Sequence, residues 1–184
     1  RIEVVMTAAE LSRLLDRQLQ SERFRDDSHN GLQVDNSGRE VRRIALGVDA
    51  TAAFFEAAAE RGTDFLICHH GLSWGESMAR LTRTNYQRVR ILFEHDMALY
   101  ASHLPLDAHP ILGNNAQIAK ALGLRRLRPF GMYHGSVIGF MGEWSRPRNY
   151  GEFRRSAERL FGGILQEMVF GPDRIRRGGG GLGG

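Results

Sequence analysis

Apolar residues near the start of the chain recur every three or four positions, from Thr7 to Gln20. This spacing is typical of an amphipathic helix. Thr7 is the expected N-cap, and Glu10 three residues later completes a capping box. A polar loop, Ser28-His29-Asn30-Gly31, follows the helix, and its Asn-Gly pair favours a tight turn before Leu32.

Short apolar runs of strand length then alternate with segments of helical periodicity. Strands are predicted at residues 43–48, 64–68 and 98–102, and helices at 51–61, 86–95 and 114–122. Nearly continuous apolar strands in this order predict an α/β protein, with a mainly parallel sheet covered by helices on both faces.

The pattern changes after Leu124. Residues 137–145 alternate loosely and predict an antiparallel strand. Residues 150–161 predict a helix entered from Asn149, and residues 165–170 predict a further strand. We therefore expect two parts, an α/β domain over residues 6–124 and a second α/β subdomain over residues 125–184.

Charge is divided unevenly between these parts. Residues 1–124 carry 14 basic and 16 acidic side chains, a net charge of −2, whereas residues 125–184 carry 11 and 5, a net charge of +6. The arginines of the second part fit ordinary solvated loops, with a phosphate or nucleic-acid patch as the alternative. No apolar run approaches the ~20 residues that span a bilayer, so the expectation is a cytoplasmic protein without membrane contact.

A single cysteine, Cys68, lies inside a predicted strand. It excludes an internal disulfide and a cysteine-based zinc ribbon. An inert buried thiol is the expected role.

Polar side chains follow each predicted parallel strand. Asp49 follows the first, His69 and His70 follow the second, and His103 and Asp107 follow the third. The carboxyl ends of parallel strands meet at one edge of a sheet, which is where sites form. Imidazoles combined with a carboxylate suit Zn, Mn or Fe.

Consecutive residues in an extended strand point in opposite directions. His69 and His70 can therefore share one metal only if the strand has ended, and they more naturally serve two adjacent metals.

The other histidines have simpler interpretations. His103 is either a ligand or a hydrogen-bond partner of one, and His109 either ligates or only shapes the turn before Pro110. His29 fits a surface loop, with the rim of a site as the alternative. His134 fits a loop, with a loop over a pocket as the alternative, and His95 fits a helix C-terminus. The chain has no GxSxG elbow, phosphate-binding GxxxxGK[ST] loop or GxGxxG motif.

Four motifs in order resemble those of the Nif-three-like family, whose bacterial members are called GTP cyclohydrolase I type 2 homologues. They are Asn30-Gly31-Leu32-Gln33-Val34, His69-His70-Gly71, the run from His103 to Pro110, and Gly113-Asn114-Asn115-Ala116. The resemblance implies a layered α/β/α fold with a second, interlinked α/β subdomain. It also implies a dinuclear metal centre and, in many members, assembly as a homohexameric ring.

The same resemblance implies that His69, His70 and Asp107 are metal ligands and that His103 lines the site. It implies two divalent metal ions per subunit, with zinc expected and iron or manganese as alternatives. Family members complete the centre with a distal histidine and a glutamate four residues later. No such pair follows Asp107 here, so we expect the second subdomain to be incomplete at its C-terminus.

The function expected from the resemblance is metal-dependent hydrolysis of a nucleotide-like or amide substrate by a metal-activated water. The alternative is a non-enzymatic, metal-binding hexameric scaffold or regulatory protein that binds protein partners or nucleic acid. Metal-ligating residues indicate that a metal binds but not that a reaction is catalysed. Both an enzyme and a non-enzymatic metal-binding protein therefore remain open at this point.

Overall fold

The computed structural model describes residues 5–163 and 166–181. Its strands are β1 (Met6–Thr7), β2 (Gly31–Val34), β3 (Glu40–Val41), β4 (Ile44–Asp49), β5 (Phe65–His70), β6 (Ala98–Ala101), β7 (Arg125–Tyr133), β8 (Ser136–Asn149) and β9 (Arg174–Gly180). Its helices are α1 (Ala8–Leu19), α2 (Ala52–Ala59), α3 (Thr84–Glu94), α4 (Leu104–Ala108), α5 (Asn114–Ala121) and α6 (Tyr150–Phe161). The chain divides into two compact units, Arg1–Leu106 and Asp107–Gly184. The boundary expected near residue 124 stays a prediction.

Helix α1 begins as its sequence predicts. The Thr7 hydroxyl accepts a hydrogen bond from the Glu10 backbone N–H at 3.3 Å, and the Glu10 carboxylate accepts one from the Thr7 N–H at 2.9 Å. These two bonds satisfy N–H groups that have no partner within the helix. The helix ends at Gln20, which adopts a left-handed backbone conformation with φ 54°.

The main sheet of the first unit has the strand order β2-β6-β5-β4. Strands β4, β5 and β6 are parallel, as predicted, and β2 runs antiparallel to β6 at the edge. A separate two-stranded pairing joins β1 to β3. Strand β2 was not predicted because only three residues after the Asn-Gly turn carry a strand pattern.

Helices lie on both faces of this sheet. Helices α2 and α3 pack on one face around Phe55, Leu66 and Leu92, and α1 packs on the other around Phe65 and Tyr100. Helices therefore lie on both faces, as predicted, and α2 covers one side of β4. Its outward residues Ile44, Leu46 and Val48 are 50–75% exposed among the described residues.

The second unit contains an antiparallel sheet with the order β7-β8-β9. Its core forms around Ala116, Phe140 and Trp144, where α5 and the sheet meet. Helix α6 is entered from Asn149, as predicted: this N-cap side chain accepts a hydrogen bond from the Gly151 N–H at 2.8 Å. The predicted strand at 137–145 is confirmed as part of β8.

The prediction of a strand at residues 165–170 is wrong for the residues that the structure describes, because residues 166–170 form no strand. Residue 165 lies outside the described residues. Strand β9 forms later instead and pairs with β8 through main-chain atoms, including those of Gly178 and Gly180. Glycine has no side chain to produce a two-residue period, so the pattern could not indicate this strand. No helix among the described residues is long and apolar enough to cross a lipid bilayer.

Candidate metal centre

Three histidines meet at the carboxyl edge of the first unit's sheet. His69 and His70 end β5, and His103 follows β6 after one intervening residue. One nitrogen from each ring lies within 4.8 Å of those of the other two. The ring centroids are 4.6 Å apart for His69 and His70, and 5.1 Å apart for His69 and His103.

The end of β5 explains how two consecutive strand residues bring their rings together. Pairing between β5 and β6 ends at Cys68, whereas pairing with β4 continues until Asp49 lies opposite His70. The last two residues therefore have a strand neighbour on one side only. The side chains of His69 and His70 converge there, although a regular strand would point them in opposite directions.

Each of the three rings is held through Nδ1 by an oxygen that can only accept a hydrogen bond. His69 Nδ1 donates to the Ser102 carbonyl at 3.0 Å, and His70 Nδ1 donates to Asp49 Oδ1 at 2.7 Å. His103 Nδ1 donates to Asp26 Oδ1 at 3.0 Å. Metal-binding histidines are oriented in this way in proteins, with the second ring nitrogen ligating. Nε2 is therefore the nitrogen that each ring leaves available, for a metal or for a proton.

Asp26 is the more buried of the two carboxylate acceptors, because the side chain of Asp49 is 63% exposed. Burial alone would raise the pKa of its carboxyl, but hydrogen bonds from His103, Asn30 and the N–H groups of Leu104 and Ser28 lower that pKa well below its usual range. The side chains of Asp26 and His103 are 4% and 5% exposed. Asp26 thus remains an anion in the interior and fixes the His103 ring.

The Asn-Gly-Leu-Gln-Val motif acts as a support for the histidines. Asn30 Oδ1 accepts a hydrogen bond from the His103 N–H at 2.7 Å, and Asn30 Nδ2 donates to Asp26 at 2.9 Å. Gln33 Oε1 accepts from the N–H groups of Leu72 and Ser73 at 2.7 and 3.0 Å. These bonds hold the segment that follows the histidine pair.

Gly71 allows this support to approach closely. A Cβ at this position would overlap the Gln33 amide and lie 2.5 Å from the Ala101 Cβ, which is too short for any side chain. Trp74 Nε1 donates to the Gly71 carbonyl at 2.9 Å, and its ring lies 4.8 Å from that of His103. The glycine after the histidine pair is thus required by packing.

Asp107 opens the second unit, on α4. It is fully buried, and its Oδ1 accepts a hydrogen bond from Asn114 Nδ2 at 3.1 Å. The next residue, Asn115, donates to the Ile138 carbonyl at 2.9 Å. The motif Gly113-Asn114-Asn115-Ala116 therefore contacts Asp107 through Asn114 and the second unit's sheet through Asn115. The role of Asp107 as a metal ligand stays a prediction.

The remaining histidines have local roles. His29 Nδ1 lies 2.6 Å from the Ser73 hydroxyl, and His109 Nδ1 accepts from the N–H groups two and three residues later, which shapes that turn. His95 is the C-cap of α3. His134 lies in the turn between β7 and β8 with φ 48°.

Cys68 is fully buried, and burial raises the pKa of its thiol to about 12, which agrees with an inert role.

Sequence reasoning missed Asp26, Ser102 and Trp74 as supports of the histidines. Ser102 acts through its main-chain carbonyl, which no side-chain pattern reveals. Asp26 stands four residues before Asn30, and that acidic residue just before the Asn-Gly turn was the available signal. A polar cleft of about 560 Å³ borders Asp26, Ser28 and Asn30.

The donor set fits a transition metal. Two nitrogens bound to one zinc ion at ~2.0–2.1 Å lie at most ~4.2 Å apart. The 4.8 Å limit on the histidine nitrogens is close to that value, so they fit a shared ion after a small adjustment or two neighbouring ions. Imidazole nitrogens favour zinc, iron or copper over magnesium or calcium.

Fold and site together define an α/β protein with a triple-histidine cluster at the carboxyl edge of a mainly parallel sheet. A sequence profile described as Duf34/NIF3 (NGG1p interacting factor 3) matches residues 6–177. The chain belongs to this family, which confirms the resemblance and the fold class given by the sequence motifs.

Individual relatives agree with this membership. The chain is 43% identical over 168 residues to a GTP cyclohydrolase 1 type 2 homolog of Deinococcus radiodurans, covering 91% of this chain and 63% of the relative. It is 39% identical over 172 residues to the homolog of Archaeoglobus fulgidus, covering 94% of this chain and 67% of the relative. The chain thus spans somewhat less than two thirds of the Deinococcus relative's length.

Solved structures show the same fold. The crystal structure of the protein TTHA1606 from Thermus thermophilus superposes with a TM-score of 0.83 at 37% identity, covering 93% of this chain and 68% of the other. A protein named ybgI, described as of unknown function, superposes with a TM-score of 0.83 at 34% identity, covering 95% and 68%.

Proposed function

We propose that this protein binds divalent metal at the histidine cluster and uses it for hydrolysis. The observation that carries the proposal is the shared orientation of His69, His70 and His103, whose Nδ1 atoms are all held by oxygen acceptors. Two rings oriented for ligation, with a third ring held in the same way beside them, favour a metal over a chance grouping. His69 and His70 are the ligands of the first unit, and Asp107 is the proposed carboxylate ligand.

Two divalent ions, with zinc the proposed species, would lower the pKa of a bound water and stabilise the oxyanion formed when it attacks the substrate. A nucleotide-like or amide substrate is proposed. Support for this class comes from the relatives called GTP cyclohydrolase 1 type 2 homologs.

His103 has a separate role in the proposal. The buried Asp26 carboxylate holds a proton on Nδ1, so Nε2 of the same ring is the acceptor position. A histidine held in one tautomer by a buried carboxylate is suited to accept and return a proton at Nε2. Trp74 packs against this ring and limits the approach of water to it. His103 therefore lines the site and moves a proton there.

The test is an assay of the metal-loaded protein with GTP, followed by chromatography of the nucleotide and measurement of released formate. We expect metal-dependent loss of GTP, which His69→Ala abolishes together with bound metal. His103→Gln should retain the metal and lower kcat by about 10²–10⁴-fold with little change in KM. His95→Ala, at a helix end away from the cluster, serves as the matched control.

Metal bound at the cluster without any turnover of GTP or related nucleotides and amides would instead favour a non-enzymatic metal-binding protein. A homohexameric ring, zinc occupancy and binding of protein partners or nucleic acid are likewise proposals. Light scattering of the purified protein tests the ring, and metal analysis tests the ion.

A further inference from the structure

The second unit contains a pocket lined by an excess of positive charge. Its volume is about 520 Å³. Four cationic side chains line it: Lys120 at the end of α5, Arg125 at the start of β7, and Arg146 and Arg148 on β8. Glu152 is the one carboxylate in its lining. Four positive side chains and one negative side chain are therefore gathered around a concave surface.

Three of these cations are in no ion pair among the residues that the structure describes. Within residues 5–163 and 166–181, Arg125, Arg146 and Arg148 form no ion pair with a carboxylate. The next arginine along the chain, Arg126, behaves differently and pairs with Glu143 at 2.9 Å. Cations gathered in a pocket repel each other, and a bound anion offsets that repulsion. The unpaired arginines therefore favour an anionic ligand.

One of the four cations is held in place by its surroundings. The guanidinium carbon of Arg148 lies 5.7 Å from the centre of the Trp144 ring, a cation–π contact. Trp144 is itself fixed, because it is 3% exposed and its Nε1 donates to the Leu122 carbonyl at 2.9 Å. The turn at Gly123, with φ +80°, also lies against Arg148, because a Cβ there would be 3.2 Å from Arg148 Nη2. Less side-chain entropy is lost when such a group binds a ligand.

We propose that this pocket binds the phosphoryl groups of a compact phosphorylated small molecule. Planar guanidinium groups form paired hydrogen bonds with phosphate oxygens, and a lysine adds a point charge. The volume lies within the ~300–1,000 Å³ range of small-molecule sites. The cations converge on one concavity, whereas a nucleic-acid strand is bound by charge that tracks its backbone along a groove.

The experiment is calorimetric titration of the purified protein with inorganic pyrophosphate at low ionic strength. We expect saturable binding that weakens as salt is added, since screening reduces exposed charge interactions. Arg146→Gln, an exposed residue whose loss should not disturb the core, is expected to weaken binding by about tenfold or more. Arg128→Gln is the matched control, because Arg128 is exposed on β7 but does not line the pocket, and it should change binding less than about twofold.

His69→Ala separates this site from the metal centre, and its pyrophosphate binding should match that of the parent protein. The proposal is overturned if no saturable binding occurs, or if Arg128→Gln weakens binding as much as Arg146→Gln does. Loss of binding in His69→Ala would place pyrophosphate at the metal centre and also contradict it. Arginine-dependent binding of a single-stranded oligonucleotide without binding of pyrophosphate would contradict it in favour of a nucleic-acid surface.

Discussion

Asp26 is the residue whose replacement tests the architecture of the histidine cluster most severely. Asp26→Asn keeps the shape of the side chain but replaces one acceptor oxygen by an NH₂ group. Oδ1 accepts from the Ser28 N–H at 3.1 Å and from His103 Nδ1 at 3.0 Å. Oδ2 accepts from Asn30 Nδ2 at 2.9 Å and from the Leu104 N–H at 3.0 Å. In either orientation of the amide, two donors then face another donor.

The expected cost follows from these four bonds. A hydrogen bond to a charged group contributes ~1.5–3 kcal/mol, and the substitution removes about two of them. The loss of a buried negative charge relieves part of the cost of desolvation. We therefore expect Asp26→Asn to lower the free energy of unfolding by about 3 kcal/mol. For a chain of this size that lowers Tm by about 6–12 °C.

Urea denaturation followed by tryptophan fluorescence measures the change, and hydrogen exchange of the peptide that contains Leu104 localises it. Asp27→Asn is the matched control, because Asp27 is the exposed neighbour and its side chain supports no contact of the cluster. The reasoning is refuted if Asp26→Asn destabilises by less than about 1 kcal/mol, or by no more than the control. Unchanged exchange at Leu104 would refute the proposed location of the effect.

Two further substitutions test other parts of the first unit. Gly71→Ala should lower the free energy of unfolding by about 1–3 kcal/mol, because the new Cβ would collide with the packed Gln33 amide. Gly171→Ala is the control, since a Cβ there meets nothing within 4 Å, and it should change the free energy of unfolding by less than about 0.5 kcal/mol in the same urea titration. Hydrogen bonds from the Ser37 hydroxyl and N–H, with Arg39 nearby, lower the pKa of Asp96 below its ordinary 3.8. The stabilisation by Asp96 is therefore complete above 3.8, its pKa in the unfolded chain, and is lost as pH falls through the lowered pKa. The difference in unfolding free energy between the parent and Asp96→Asn should therefore be constant at neutral pH and shrink below about pH 5, and a difference that stays constant below that pH would contradict this.

The sequence predicted the parallel strands and the grouping of the histidines for a general reason. Strands β4, β5 and β6 are short apolar runs, so their pattern was readable, and parallel topology brings their carboxyl ends to one edge. The grouping of His69, His70 and His103 follows from that topology. The convergence of the His69 and His70 rings does not follow from the topology, because it depends on where pairing between β5 and β6 stops.

The supports of the cluster were less accessible to sequence reasoning. Asp26 lies in a loop without periodicity, and its role depends on the fold that brings it to His103, 77 positions later. The Ser102 carbonyl carries no side-chain signal at all. Strand β9 was missed for a related reason, because its glycines pair through the main chain. Local patterns indicate elements, whereas these contacts are set by tertiary structure.

The measurement that tests the central claim most directly is the metal content of the purified protein and its variants. Each is dialysed against buffered zinc and analysed by inductively coupled plasma mass spectrometry, with circular dichroism to establish that the variants are folded. We predict zinc in the parent protein and in His95→Ala, and loss of most of it in His69→Ala and His70→Ala, because two imidazole ligands at the tip of β5 hold the ion. Equal metal content in all four folded proteins would contradict the assignment of this cluster as a metal centre.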